Sequence, residues 1–330
     1  MRRVIGLIAS ALGTFLIVLA LFVRFYVADQ AIKFPLNENE ITELTASNVS
    51  YFNPTLVKEL SGVTMHLTNT VQGSVADGSS SRAVWTEFTY LYDATNRQQV
   101  EYFLQRLPFN RRTGEFVNCC GAYVGADTNL TGESGLAYVW PFNAQKKTYQ
   151  VFSTTLMRPV PAVYSGTATV DGESTYKYVE TTSPTESGSQ TVPGSLVGVK
   201  DQQTVTLGEY DAGVTTEYVD PITGAPVSAV ISEHVYLASN PSTPLLNLLD
   251  ARFTDEPSSI ASAVHTAKKY DTEISVVEII LPVSLGLVGI ILLVIGFILG
   301  RRPRAGYAYG EESEDDFEDG TVLPAGGASA

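Results

Sequence analysis

The chain of 330 residues holds two cysteines, three histidines and no recognisable catalytic motif. Each shortage removes a class of function. Cys119 and Cys120 are neighbours, so neither a disulfide framework nor a Cys-x-x-Cys redox pair is available. Three fates remain: a vicinal ring, bridges to another chain, or free thiols. The ring is the favoured reading, as a rigid turn ahead of Gly121, although adjacent Cα atoms sit closer than the usual disulfide range. His66, His234 and His265 are far apart in sequence and none has metal-ligand spacing. There is no Gly-x-Ser-x-Gly elbow and no phosphate loop. The chain is therefore read as a non-enzyme with no cofactor and no metal.

Two acidic features are weighed against blander readings. Asp127-Thr128-Asn129-Leu130-Thr131-Gly132 resembles the start of a calcium loop. The twelfth position, which needs an acid, falls on Tyr138, so a polar turn is expected instead. Glu87 and Glu217 each sit in a strand-like run, and such carboxylates can meet in space. The preferred reading is a solvated strand face.

Positive charge is also scarce. The net charge is −14, and residues 25–300 carry −13 of it with no Lys/Arg cluster. An acidic surface of that kind excludes nucleic acid as a partner.

Long apolar runs number only two. Val4 to Val23 and Ile279 to Gly300 are uncharged, and each has the length that a helix needs to cross a bilayer core. Arg2 and Arg3 precede the first run; Arg301, Arg302 and Arg304 follow the second. The positive-inside rule then places both termini in the cytoplasm. Residues 1–3 are the cytoplasmic start, 4–23 the first span, 24–278 an extracytoplasmic domain, 279–300 the second span, and 301–330 a cytoplasmic tail. Arg24 lies on the wrong side and is expected to snorkel to the interface. A cleaved signal with Val18-Leu19-Ala20 as its cleavage site is the alternative for the first run. The run continues through Val23, which favours an anchor. The acidic run from Glu311 to Asp319 is expected to be disordered.

Between the runs the composition favours strands. Ala83 to Tyr92, Thr148 to Thr154, Ala162 to Thr169, Ser174 to Glu180, Thr204 to Gly208, Thr215 to Val219 and Val227 to Leu237 show the apolar–polar alternation of strands. Thr70 to Arg82 and Thr182 to Gly194 are rich in Ser, Thr, Gly and Pro or Asp, and are expected to be surface loops. One turn form appears twice, as Asn110-Arg111-Arg112-Thr113-Gly114 and Asp220-Pro221-Ile222-Thr223-Gly224. Asn or Asp opens it by bonding its own backbone, and Gly closes it at positive φ, giving a hairpin with a bulge. From Ser258, which can cap a helix start, apolar residues recur at helical spacing. No breaker intervenes before Pro282, so a long helix is expected to run from residue 258 into the second span. The fold class is mostly β (α+β), with two transmembrane α-helices, one near each terminus.

Several motifs agree in order with a known family. They are Arg112-Thr113-Gly114-Glu115-Phe116-Val117-Asn118-Cys119, Trp140-Pro141-Phe142 with Lys146-Lys147-Thr148-Tyr149, Gly172 to Tyr178, and Tyr218 to Gly224. Together they resemble the actinobacterial porin PorA-like family. The resemblance implies an envelope protein of mycolic-acid bacteria or their relatives and brings no catalytic residues. It also implies a porin, yet a membrane barrel has no apolar helices to stop its export. A pore would then come from oligomerised helices, which carry no polar stripe. The layout is similar to that of animal class B scavenger receptors, which place one β-rich ectodomain with a lipid tunnel between two spans. The leading expectation is a module that binds or transfers an apolar envelope ligand, with membrane lipid as partner. A channel, or a scaffold that binds other envelope proteins, is the alternative.

Overall fold

The protein is described from a computed structural model for residues 2–128 and 130–301. The expected acidic tail lies outside the described residues. The described residues form two compact units: 2–18 with 285–301, and those within 19–284.

The first unit contains most of the apolar length of two helices, α1 (Arg2–Ala31) and α2 (Pro257–Gly300), each long and apolar enough to cross a membrane. Here the helices run antiparallel and touch through small residues. A Cβ on Gly13 would lie 2.6 Å from the Gly289 carbonyl oxygen, and one on Gly6 3.0 Å from that of Gly296. Small residues at such spacing let backbones approach closely.

In the second unit both helices contain one wide π-helical turn, Val23–Val27 in α1 and Val276–Ile280 in α2. Pro282 explains the second turn, because it withholds the N–H that a regular helix would use there. Arg24 pairs with Glu278 across these turns, Nη1 to Oε1 at 3.7 Å. The charge that looked misplaced in the sequence therefore has a partner at the border of the other apolar run. α1 also continues beyond Val23 to Ala31, where Ile32 turns extended. The start of α2 differs from expectation. Pro257, not Ser258, leads the helix, with Glu256 before it. Proline suits this first position because its missing N–H would be unpaired there anyway. Ser259 Oγ instead accepts the Glu43 N–H at 2.9 Å and ties the helix to the sheet.

Between the helices lie twelve strands: β1 (Asn39–Asn53), β2 (Lys58–Gly73), β3 (Arg82–Asp93), β4 (Gln98–Asn110), β5 (Tyr123–Val124), β6 (Asp127–Thr128), β7 (Tyr149–Ser153), β8 (Arg158–Val170), β9 (Glu173–Pro193), β10 (Thr204–Val219), β11 (Pro226–Ala238) and β12 (Pro244–Asp255). They form one sheet, ordered β6-β5-β4-β3-β2-β1-β12-β11-β10-β9-β8-β7, in which all neighbours are antiparallel.

One expected loop proves to be strand and the other is shortened. Thr182 to Pro193 belongs to β9 and pairs with β10 as far as Pro193↔Thr204. Its Ser and Thr residues suit a pleated, half-exposed surface, and the pairing partner overrides their loop character. Thr70 to Gly73 likewise completes β2, which leaves the turn to residues 74–81. The runs Thr204 to Gly208 and Thr215 to Val219 are one continuous strand.

The sheet closes on itself. The Val117 N–H donates to Pro108 O of β4, the Phe116 N–H to Gly135 O, and the Leu136 N–H to Gln150 O of β7, each at 2.8 Å. This hydrogen-bonded bridge joins the two margins into a barrel, which removes the exposed edges that an open sheet would present. Leu44, Tyr51, Met65, Leu91 and Phe253 fill the middle of the interior. Val192, Val197, Leu207, Leu237 and Leu246 fill the end distant from the helices.

The two matched turns lie at the helix end. Asp220 Oδ1 accepts from the Thr223 N–H and hydroxyl, both at 2.7 Å, and Asn110 Oδ1 accepts from the Arg112 N–H at 2.9 Å. Gly114 and Gly224 take φ of +72° and +73°. Their second purpose was invisible in the sequence. The segment 139–144 lies across both turns: the Trp140 N–H donates to Gly224 O at 2.8 Å and the Ala144 N–H to Pro221 O at 2.8 Å. A Cβ on Gly114 would collide with the Val139 carbonyl oxygen, and one on Gly224 with that of Trp140.

This geometry separates two costs of adding a side chain. Gly62 also has positive φ, at +70°, but has open space around it. Gly62→Ala should cost about 1 kcal/mol from backbone strain alone. Gly224→Ala should cost about 3 kcal/mol or more, because the collision adds to the strain. Thermal unfolding in mild detergent measures both, and equal losses would contradict the role given to segment 139–144.

Candidate functional site

Side-chain alternation decides which residues enter the barrel. Glu87 shares its side of β3 with Trp85 and Leu91, both buried. Glu217 shares its side of β10 with Val219, which is fully buried. Both carboxylates point inward and line one cavity of about 660 Å³. The expected solvated strand face is therefore corrected for both residues. The flanking buried residues on the same parity were the signal.

The cavity occupies the helix end of the barrel. One wall is aromatic, with Phe34, Trp85, Tyr138, Phe142 and Phe152. Phe34 and Phe142 stack at 4.4 Å between ring centroids. Ser262, Ala263, Thr266 and Tyr270 of α2 form the facing wall. The cavity also reaches Ala31 and Ile32 at the end of α1, and Ile274 and Val277 just ahead of the second apolar run. It therefore lies beside the points where both long helices leave the barrel.

Among the described residues, Glu38, Glu40, Glu87, Glu217, Asp255 and Glu273 line this space, with Lys33 as the one base. Burial raises the pKa of Glu40, Glu87, Glu217 and Asp255. Nearby charge adds to this at Glu40, from Glu38 and Asp255, and at Glu217, from Asp255. Hydrogen bonds pull back the other way. Trp140 Nε1 donates to Glu217 at 2.8 Å, Gln105 Nε2 donates to Glu87, and the Ala229 N–H donates to Asp255. Two buried acceptors on residues of this lining, Gln105 Oε1 and Asp255 Oδ1, are packed away from solvent and have no hydrogen-bond partner among the described residues.

Further carboxylates continue into the barrel. Burial, then Glu217 and Asp211, push Glu180 up to about 7. Burial, then Asp211 and Glu101, push Glu233 up to about 7. Glu101 of β4 acts on Glu233 of β11 although their strands lie far apart in sheet order. That proximity is a consequence of closure. Among the described residues, the ion pairs are Arg24–Glu278, Arg106–Asp77, Arg112–Asp29 and Lys268–Glu173. None reaches an interior carboxylate.

The other candidate residues lie elsewhere. Cys119 and Cys120 are bonded to each other in the turn before Gly121. The Ala122 N–H donates to Cys119 O at 3.3 Å, and Arg106 Nε to Cys120 O at 3.4 Å. Asp127 and Thr128 form the short β6 against β5; Asn129 is outside the described residues. His66 Nδ1 is 3.0 Å from Thr45 Oγ1, whereas His234 lies beside Tyr236. Glu173, Asp220 and Asp271 bring carboxylate oxygens within 4.8 Å of one another. Asp220 is engaged by its own turn and Glu173 by Lys268, which marks the cluster as a joint between turn and helix.

The family model described as Porin PorA matches residues 5–298. The chain belongs to the porin PorA family. The ordered motifs from Arg112 to Gly224 had pointed to it, and no curated protein matches the sequence. The matched span takes in both apolar helices as well as the barrel. In this member of the porin PorA family, the helices are thus part of the shared architecture.

The interior acids give a testable pH dependence. An ordinary Glu titrates near 4.5 and Glu233 near 7, so the folded state holds its proton more tightly than the unfolded chain does. Stability is then lost as pH rises from about 4.5 through 7, by about 3 kcal/mol. Glu233→Gln mimics the protonated side chain. Its unfolding midpoint should exceed the parent's at pH 8, and the difference should vanish near pH 4.5. A gap that persists at low pH would show that charge is not the cause.

Proposed function

We propose that this member of the porin PorA family is a membrane-anchored envelope protein whose barrel takes up an amphiphile. The observation that carries the proposal is the cavity of about 660 Å³ beside the roots of both apolar helices. Its size falls within the range of small-molecule sites. Its aromatic wall suits an acyl chain, and its carboxylates suit a polar head. Arg2, Arg3 and Arg301 support cytoplasmic ends and an extracytoplasmic barrel. On that topology the cavity faces the outer leaflet, where membrane lipid is the partner and other envelope proteins are the acceptors.

The outward faces of β2 and β12 support a position in water. A transmembrane barrel turns an apolar band outward. Here β2 presents His66, Thr68, Thr70 and Gln72 opposite the buried side, and β12 presents Asp250, Arg252 and Thr254, all exposed or half-exposed. The test is displacement of a fluorescent long-chain alcohol from protein in nanodiscs. Ala263→Trp fills the cavity from α2 and should weaken binding at least about tenfold, the loss expected when a ligand's place is taken. Helical and strand circular dichroism should stay unchanged. No binding by the parent protein would end the proposal.

A second reading rests on the family match, whose description is that of a porin. On this reading the protein conducts ions, and the unpaired interior carboxylates make it select cations. Purified protein in planar bilayers should then give discrete, cation-selective steps. A silent bilayer at protein densities that support lipid binding would remove it.

A further inference from the structure

The side of α2 that rests on the barrel breaks its own apolar pattern at one position. Val264, Ala267, Asp271 and Ile274 recur at helical spacing and share one side of the helix. Val264, Ala267 and Ile274 are buried. Val264 and Ala267 pack with Val227 of β11, and Ile274 packs with Ala28 and Ile32 at the end of α1. Asp271 therefore places a carboxyl group within the stripe that docks the helix. We infer that Asp271 fastens α2 to the barrel through a proton shared with Asp220, and that loss of this proton releases the helix from the cavity it walls.

The contact is one between acids. Asp271, Asp220 and Glu173 bring carboxylate oxygens within 4.8 Å of one another, and Asp271 is in hydrogen-bond contact with Asp220. Two carboxyl groups can bond in this way only when one bears a proton. Asp220 Oδ1 already accepts from the Thr223 N–H and hydroxyl at 2.7 Å and from the Ile222 N–H at 3.2 Å, so Asp220 acts as the acceptor and Asp271 as the donor. Asp271 Oδ1 is buried and receives no hydrogen bond from a described residue. An ionised Asp271 would leave that oxygen without a donor, at a cost in free energy. Burial, then Asp220 and Glu173, push Asp271 up to about 7.

The other charges around the contact have partners. Glu173 of β9 pairs with Lys268 of α2 at 3.7 Å, and Lys268 Nζ donates to Asp171 O at 3.5 Å. Asp29 of α1 pairs with Arg112. Among the described residues, no base pairs with Asp220 or Asp271. Loss of the shared proton therefore sets two uncompensated negative charges against each other. The helix held in this way carries Ser262, Ala263, Thr266 and Tyr270 of the cavity wall. The π-helical turn Val276–Ile280 follows, an interruption of the regular ladder where a helix can bend. The docked helix holds the proton more tightly than the released one, so docking is complete at low pH and weakens as pH rises through about 7.

Release of α2 needs no ligand, and its test uses none. Hydrogen exchange is followed in the full chain in zwitterionic nanodiscs and corrected for the intrinsic pH dependence of amide exchange. Residues 262–274 should exchange about tenfold faster at pH 8 than at pH 6, the change that release linked to one proton gives over this range. Asp271→Asn keeps a donor for Asp220 but has no proton to lose, and its corrected rates should be equal at the two pH values. Asp271→Leu completes the apolar stripe and should likewise show no step. Glu233→Gln, inside the barrel, should leave the step in place. A parent without the step, or the same step in both Asp271 variants, would overturn the inference, as would a step that Glu233→Gln abolishes. Calcium chloride at about 1 mM that restores slow exchange at pH 8 would assign the contact to a metal ion and overturn the shared proton as well.

Discussion

The antiparallel pairing of β1 with β12 is the contact on which the remaining structure depends. It joins Leu44 to Asp255, residues about 210 positions apart, and so it carries a large loop-closure cost. Long ladders on both sides offset that cost. The consequence is geometric. The strand that follows α1 and the strand that precedes α2 are neighbours, so both helices attach at one end of the barrel. The cavity lies at that end because the helix α2 and segment 139–144 cover the interior there without filling it. At the other end and in the middle, clusters of apolar side chains fill it.

The barrel interior is unusual for a stable core. Hydrophobic clusters alternate with carboxylates that have no basic partner among the described residues, and burial of such groups costs free energy unless they are hydrogen-bonded or protonated. Glu87 and Glu217 are held by Gln105 and Trp140. Glu180 and Glu233 respond by raised pKa instead. Core positions that break the local rule in this way are where function is expected to reside. Apolar residues at the same positions would give a more stable barrel without a polar interior.

Much of the architecture was legible in the sequence. The two apolar runs, the long helix up to Pro282, most central strands and both five-residue turns follow from periodicity and turn chemistry. The misses have physical causes. Thr182 to Gly194 looks like a loop by composition, and only its pairing with β10 makes it strand. Arg24 looked stranded because its partner, Glu278, lies beyond the whole barrel in sequence. Gly114 and Gly224 were recognised for their φ, but the close approach of segment 139–144 is a tertiary fact. Glu87 and Glu217 were noticed and placed on the wrong face. Parity with Trp85 and Val219 would have turned them inward. Closure through residues 114–117 and 135–137 left no periodic signal, since these are isolated bridges outside regular strands.

The central claim is that the cavity at the helix end holds an amphiphile. Native mass spectrometry of the full chain, released from its own membranes in mild detergent, tests it most directly. The account predicts a protein peak carrying one bound amphiphile, which survives detergent activation and is absent from Ala263→Trp. Bare protein alone, or adducts equally abundant in the filled variant, would contradict it.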